Sequence, residues 1–191
     1  MSATDALALS APPPPSLDDL VPEFQPGCRR LLDACRARGV EMRVNETVRD
    51  PFRQARLWRQ SRTITTIRAR VDALRAAGAD FLADCIESVG PQHGDPVTNA
   101  GPGLSWHQWG EALDCFWVVD GEAEWSTTRK VGGVNGYRVY ADEARRLGLT
   151  AGGFFTSIKD FPHVQLRAAP GPADVFSLAE IDQVMRERFG G

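Results

Sequence analysis

The stretch Glu111–Val119 does most to limit what this chain can become. Read with the two-residue period of a strand, Ala112, Asp114, Phe116 and Val118 share one face, and Leu113, Cys115, Trp117 and Val119 the other. Both faces are largely apolar, so the segment belongs at the centre of a sheet with cover on both sides. One residue breaks the pattern. Asp114 is a carboxylate among apolar neighbours, costly unless it is paired or holds a metal, and no Arg or Lys adjoins it in sequence to act as a partner.

Helices are expected around this strand. From about Gly27 to Arg38 the apolar residues Leu31, Leu32 and Cys35 recur at helical spacing, and Gly39 supplies a stop. Glu41–Val48 alternates as a short strand, and Asp50 followed by Pro51 opens a helix through Ala55, Leu57 and Trp58. Residues 67–89 read as two helical stretches broken near Gly78, and 90–103 as a loop whose glycines and prolines forbid regular structure. A helix over 137–147 and a short strand at His163–Leu166 follow. The last helix spans Ser177–Phe189 and opens on a capping box, Ser177 with Glu180. Helices surround a few strands without βα alternation, which predicts an α+β fold. At 191 residues the chain fits one domain. Residues 1–16, with Pro12–Pro15, read as a disordered arm, and 17–191 as the domain, with 59–95 a helical insertion.

A net charge of −3 argues against a nucleic-acid partner, whose mark is a basic face. No apolar run reaches the ~18 residues needed to cross a bilayer. The N-terminus lacks the basic and sustained apolar regions of a standard secretory signal, so synthesis in the cytoplasm is expected. The four cysteines form no CxxC pair and read as reduced core residues.

Two of the three histidines stand beside unusual features. His107 lies just before the central strand, and His163 shares a strand face with Gln165. Two His and one Asp suit zinc, and three protein ligands leave a fourth position for water. Asp160, three residues before His163, is the acid/base candidate.

Ser105-x-His107-x-x-Gly110-x-Ala112-x-Asp114, followed by Asp160-x-x-His163-x-Gln165, resembles the pattern of the D-Ala-D-Ala carboxypeptidase and L-alanyl-D-glutamate endopeptidase family, which includes many phage endolysins and has a hedgehog-like zinc fold. Thr47-Val-Arg49-Asp-Pro-Phe-Arg-Gln54-Ala is similar to the segment where that family places an Arg after a strand and a Gln on the next helix. The resemblance spans roughly residues 40–166. It implies a small antiparallel sheet carrying zinc on His107, Asp114 and His163, with Asp160 as acid/base. Arg49 would bind the substrate carbonyl or stabilise the oxyanion, and Ser105, Gln54 and Gln165 would bind substrate or support the site. Thr150-Ala151 departs from the family, where a Trp is common.

The implied activity is hydrolysis of peptidoglycan stem peptides by an L-alanyl-D-glutamate endopeptidase of the endolysin type. The alternatives are a D,D-carboxypeptidase and a non-catalytic wall-binding or structural phage protein. A monomer is expected, and no stable membrane association, since charges in the terminal helix sum to −1 (Glu180, Asp182 and Glu187 against Arg186 and Arg188) rather than forming a basic face. A lysis role would require a separate membrane-permeabilising partner.

Overall fold

A computed structural model describes residues 14–156 and 158–191. The expected arm falls mostly outside these residues. Its boundary moves slightly, because Ser16 already belongs to the fold: its hydroxyl accepts from Asp18 N at 3.2 Å, its own N–H donates to Asp19 at 2.8 Å, and together they cap a 3-10 turn over Leu17–Asp19.

Helix α1 (Gln25–Ala37) leads into strand β1 (Glu41–Glu46), and Asp50 caps α2 (Pro51–Arg59) by accepting from Arg53 N at 2.8 Å. Helices α3 (Ile64–Ala76) and α4 (Asp80–Ser88) are separated at Gly78, where the break was expected. A single turn of helix, α5 (Trp106–Trp109), precedes β2 (Ala112–Val119), which turns at Asp120-Gly121 into β3 (Glu122–Glu124). Then come α6 (Gly136–Arg146), β4 (Thr150–Ala151), β5 (His163–Gln165) and α7 (Leu178–Phe189), capped by Ser177 as expected. The elements α5, β3 and β4 were not expected from sequence. Among the described residues no helix is long and apolar enough to cross a membrane.

The sheet is antiparallel, in the order β1-β2-β5-β4. At Asp114 strand β2 pairs with both β1 and β5, and at Trp117 with both β1 and β3. Since a strand has two edges, β5 and β3 share the edge opposite β1, and β2 is central as its two apolar faces required. The register shifts between Val44 and Glu46, the extra residue of a β-bulge. Beyond that bulge Glu46, Asp114 and His163 stand side by side on three strands.

Apolar residues form two cores. On one face of the sheet Leu113, Cys115, Trp117 and Val164 pack with Cys28, Leu31 and Cys35 of α1 and Tyr137, Tyr140 and Ala144 of α6. Ala112, on the opposite face of β2, joins a helical core of α2, α3, α4 and α7 that holds Trp58, Leu82, Ile86, Ile181 and Met185. The insertion over 59–95 therefore packs into a core that it shares with α2 and α7. With each fully buried Leu or Ile contributing about 1.5–3 kcal/mol, it is an integral half of the domain. Helix α4 begins at Ala79 with no side-chain cap of its own, and α7 supplies one: buried Asp182 accepts from Leu82 N at 2.8 Å and from Arg186 at 2.9 Å.

Candidate metal centre

The spacing of the first motif is that of one capped helical turn followed by a strand. Ser105 is the N-cap of α5 and forms a capping box with Gln108, whose side chain accepts from Ser105 N at 3.1 Å. Gly110 closes the turn with φ +73, a left-handed conformation that disfavours any residue with a Cβ. Between the two, His107 is carried on a turn too short to be stable alone. It is fastened by its neighbours: Trp106 Nε1 donates to Ala169 O at 2.9 Å, Trp109 Nε1 to Gly103 O at 3.1 Å, and Trp109 stacks on Phe176 with centroids 4.9 Å apart. Ala112 and Asp114 then share one face of β2, Ala112 fully buried and Asp114 at the cleft.

Three ligand atoms converge. His107 Nε2 lies 3.2 Å and His163 Nδ1 3.0 Å from the same Asp114 oxygen, Oδ1. The outer nitrogens face acceptors, with His107 Nδ1 2.7 Å from Thr47 O and His163 Nε2 3.0 Å from Gln165 Oε1. The Gln165 amide is oriented by donating from Nε2 to Arg167 O and Ala169 O, each at 2.8 Å, so its oxygen must face the histidine. Each neutral imidazole therefore spends its N–H outward and turns a lone pair towards a carboxylate. Such a set calls for a cation at its centre. The donor set fits zinc, which takes imidazole nitrogen and carboxylate oxygen, and the three ligand atoms lie within 4.8 Å of one another.

The electrostatics show how strongly negative this centre is. Burial alone would raise the Asp114 carboxyl, but the His107 and His163 imidazoles bring it well below the usual carboxylate range. Burial would lower His163, and the Asp114 carboxylate outweighs it and raises the imidazole instead. Asp114 is also less isolated than its sequence neighbours implied, for Arg49 approaches its Oδ2 to 3.9 Å.

Asp160 and Arg49 line the same cavity of about 350 Å³ as the three ligands. The spacing from Asp160 to His163 closes a turn, His163 N donating to Asp160 O at 3.2 Å. Asp160 N donates in turn to Gly152 O at 3.0 Å. A Cβ on Gly152 would come within 2.3 Å of the Asp160 carbonyl, so only glycine permits this approach. Burial raises the Asp160 carboxyl above its ordinary range, against the opposing pull of His163.

The Arg49 guanidinium is ion-paired to Glu46 and donates to Gln54 Oε1 at 2.8 Å. Gln54 is fully buried and does not line the cavity. It also accepts from Gln108 at 3.0 Å and donates to Ala100 O at 2.6 Å, so it ties α2 to α5 and to the 98–100 loop. Of the expected site residues, Gln54 thus supports its neighbours, whereas Ser105 and Gln165 both touch the cavity and anchor a ligand. Sequence reasoning missed Glu46 and Thr47 as partners of the site. The third histidine, His93, lines a different cavity. All four cysteines are buried and free.

Residues 18–150 match the family model VanY, D-alanyl-D-alanine carboxypeptidase. The chain belongs to this family of peptidoglycan peptidases. Asp160 and His163 lie beyond the matched stretch, and β5 brings them to Asp114. Among curated proteins none matches. Solved structures similar to this chain include a zinc-bound variant of the vancomycin-resistance D,D-pentapeptidase VanY from a VanB-type cassette, 21% identical over 76% of this chain and 71% of that one, with a TM-score of 0.44. Another is the L-Ala D-Glu endopeptidase ChiX of Serratia marcescens, 18% identical over 79% of this chain and 83% of that one, with a TM-score of 0.38.

Proposed function

We propose that this chain is a zinc peptidase that cuts inside the stem peptides of bacterial peptidoglycan, as an L-alanyl-D-glutamate endopeptidase of the phage or prophage endolysin type. The reading is carried by one observation: three ligand atoms within 4.8 Å of one another, opening on a cleft that Asp160 and Arg49 also line. His107, Asp114 and His163 would hold zinc, which would supply the Lewis acidity that activates a water near neutral pH and polarises the scissile carbonyl. Asp160 takes the proton of the attacking water and delivers it to the departing amine. Arg49, held by Glu46 and Gln54, donates to the carbonyl oxygen as negative charge gathers there.

Cleavage within the stem, rather than removal of its last residue, is supported by the shape of the groove. It continues past Asp160 between Val97 and Ile158, where Pro96, Asn99 and Phe155 complete the walls, and among the described residues no Arg or Lys lines that stretch. Among the described residues Arg49 is the one Arg or Lys lining the central cavity, and Glu46 already engages it. A carboxypeptidase has a substrate carboxylate to neutralise at one end of its cleft. The second reading, a D,D-carboxypeptidase, draws on the description of the family itself.

Mass analysis of the products from purified peptidoglycan separates the two. Peptides with a newly exposed D-Glu amino terminus are expected. Release of free D-Ala alone would overturn the endopeptidase reading and leave the zinc peptidase standing.

A further inference from the structure

A second cavity, of about 440 Å³, lies under the connection between α2 and α3. Its volume is in the ~300–1,000 Å³ range of small-molecule sites. Arg59, Arg62, His93, Ser61 and Gln92 supply its polar groups, while Ile64, Ile67 and Pro91 supply an apolar wall. Among the described residues no Asp or Glu lines it.

The two arginines are unusual. Arg59 is only 8% exposed, and among the described residues its side chain makes one hydrogen bond, from Nη1 to Ile86 O at 2.8 Å, leaving Nε buried without an acceptor. Arg62 lies over the Trp58 ring, 4.4 Å from its centroid, and donates to the carbonyls of Trp58 and Thr98. Among the described residues neither has a carboxylate within ion-pair distance. Buried carboxylates elsewhere have such a partner: Asp182 has Arg186, Glu111 has Arg167, and Glu143 has Arg38 and Arg146. A buried guanidinium without a counter-ion is costly, and carboxylate and phosphate oxyanions are the partners its forked donors fit.

We propose that this cavity binds a small organic anion, with a phosphate or carboxylate head against Arg59 and Arg62 and a short apolar body against Ile64, Ile67 and Pro91. It is separate from the metal centre and stands whether or not the peptidase reading holds. It does adjoin the cleft through one loop. Ser61 donates to Gly94 O and Arg62 to Thr98 O, and Val97 and Thr98 form part of the catalytic wall. An anion held here therefore braces the loop from behind.

The test is thermal unfolding of the zinc-loaded full chain, titrated with phenyl phosphate or with benzoate at constant ionic strength, chloride being the balancing salt. A saturable rise in Tm is expected, and the series that saturates at lower concentration identifies the head group. Arg62→Gln should weaken the apparent affinity on the order of tenfold, the loss of a charge-assisted hydrogen bond. His93→Gln, at an exposed position, should weaken it less and serves if the arginine variant fails to fold. Absence of a saturable response in the wild type would overturn the proposal. A response left unchanged by both substitutions would place the anion on the metal and overturn it equally.

Discussion

The sheet core and the helical core bury polar groups to different ends. Across β1, β2 and β5, Glu46, Asp114 and His163 form a row, so two ligands and the partner of Arg49 are set by ladder register alone. On the helical side the buried Asp182 caps another helix, and Gln54 and Gln108 bind one another. This half contributes a single ligand, His107, on a one-turn helix that depends on its caps and its tryptophans. A strand places a ligand by pairing along its length. A lone helical turn places one only through what surrounds it, so removing the metal should loosen the two halves unequally.

The largest effect falls on the sheet ligands. Asp114→Ala or His163→Ala should abolish both zinc binding, read by elemental analysis, and peptidoglycan cleavage. Retention of one zinc per chain in either variant would break the assignment of the row. Next in size, Asp160→Asn should keep its zinc and its Tm but lose about 10²–10⁴ in turnover, the usual worth of general acid–base help. Loss of zinc in that variant would make Asp160 a ligand. Gln165→Ala removes the acceptor that fixes the His163 ring, and zinc affinity measured by chelator competition should fall about 10–100-fold. An unchanged affinity would mean that register alone orients the ring. The smallest effect separates the halves most directly. Ser105→Ala should cost about 1 kcal/mol of stability, and amide exchange in the zinc-free protein should rise at residues 105–110 before it rises in β2. Simultaneous loss of protection in both would show that the two cores open as one.

Much of this was legible in the residues. Alternation in Glu111–Val119 identified the central strand, and the Asp50-Pro51 and Ser177–Glu180 signals located two helix starts, because caps act within a few residues of their own position. The candidate ligands His107, Asp114 and His163 stood out because a carboxylate in an apolar strand demands a partner and because the motif around them resembles a known zinc peptidase pattern. Strands β3 and β4 escaped because two or three residues cannot display a period, although Asp120-Gly121 is a hairpin signal. The turn α5 escaped for the same reason, despite its Ser105–Gln108 capping box. Contacts between Arg49 and Asp114 or Thr47 and His107 join segments far apart in the chain, and no local pattern encodes them.

The distribution of the cysteines makes the protein its own reporter. Cys28, Cys35 and Cys115 lie in the sheet core and Cys85 in the helical core. Burial pushes the thiols of Cys28, Cys35 and Cys85 up to about 12 and raises that of Cys115 as well. The thiolate is the reactive form, so an alkylating reagent at neutral pH passes over the closed protein and marks whatever opens. An opening of the helical core alone adds one label to the intact mass, while an opening of the sheet core adds three. Mass spectrometry on the wild-type chain can therefore time each half separately, with no engineered probe.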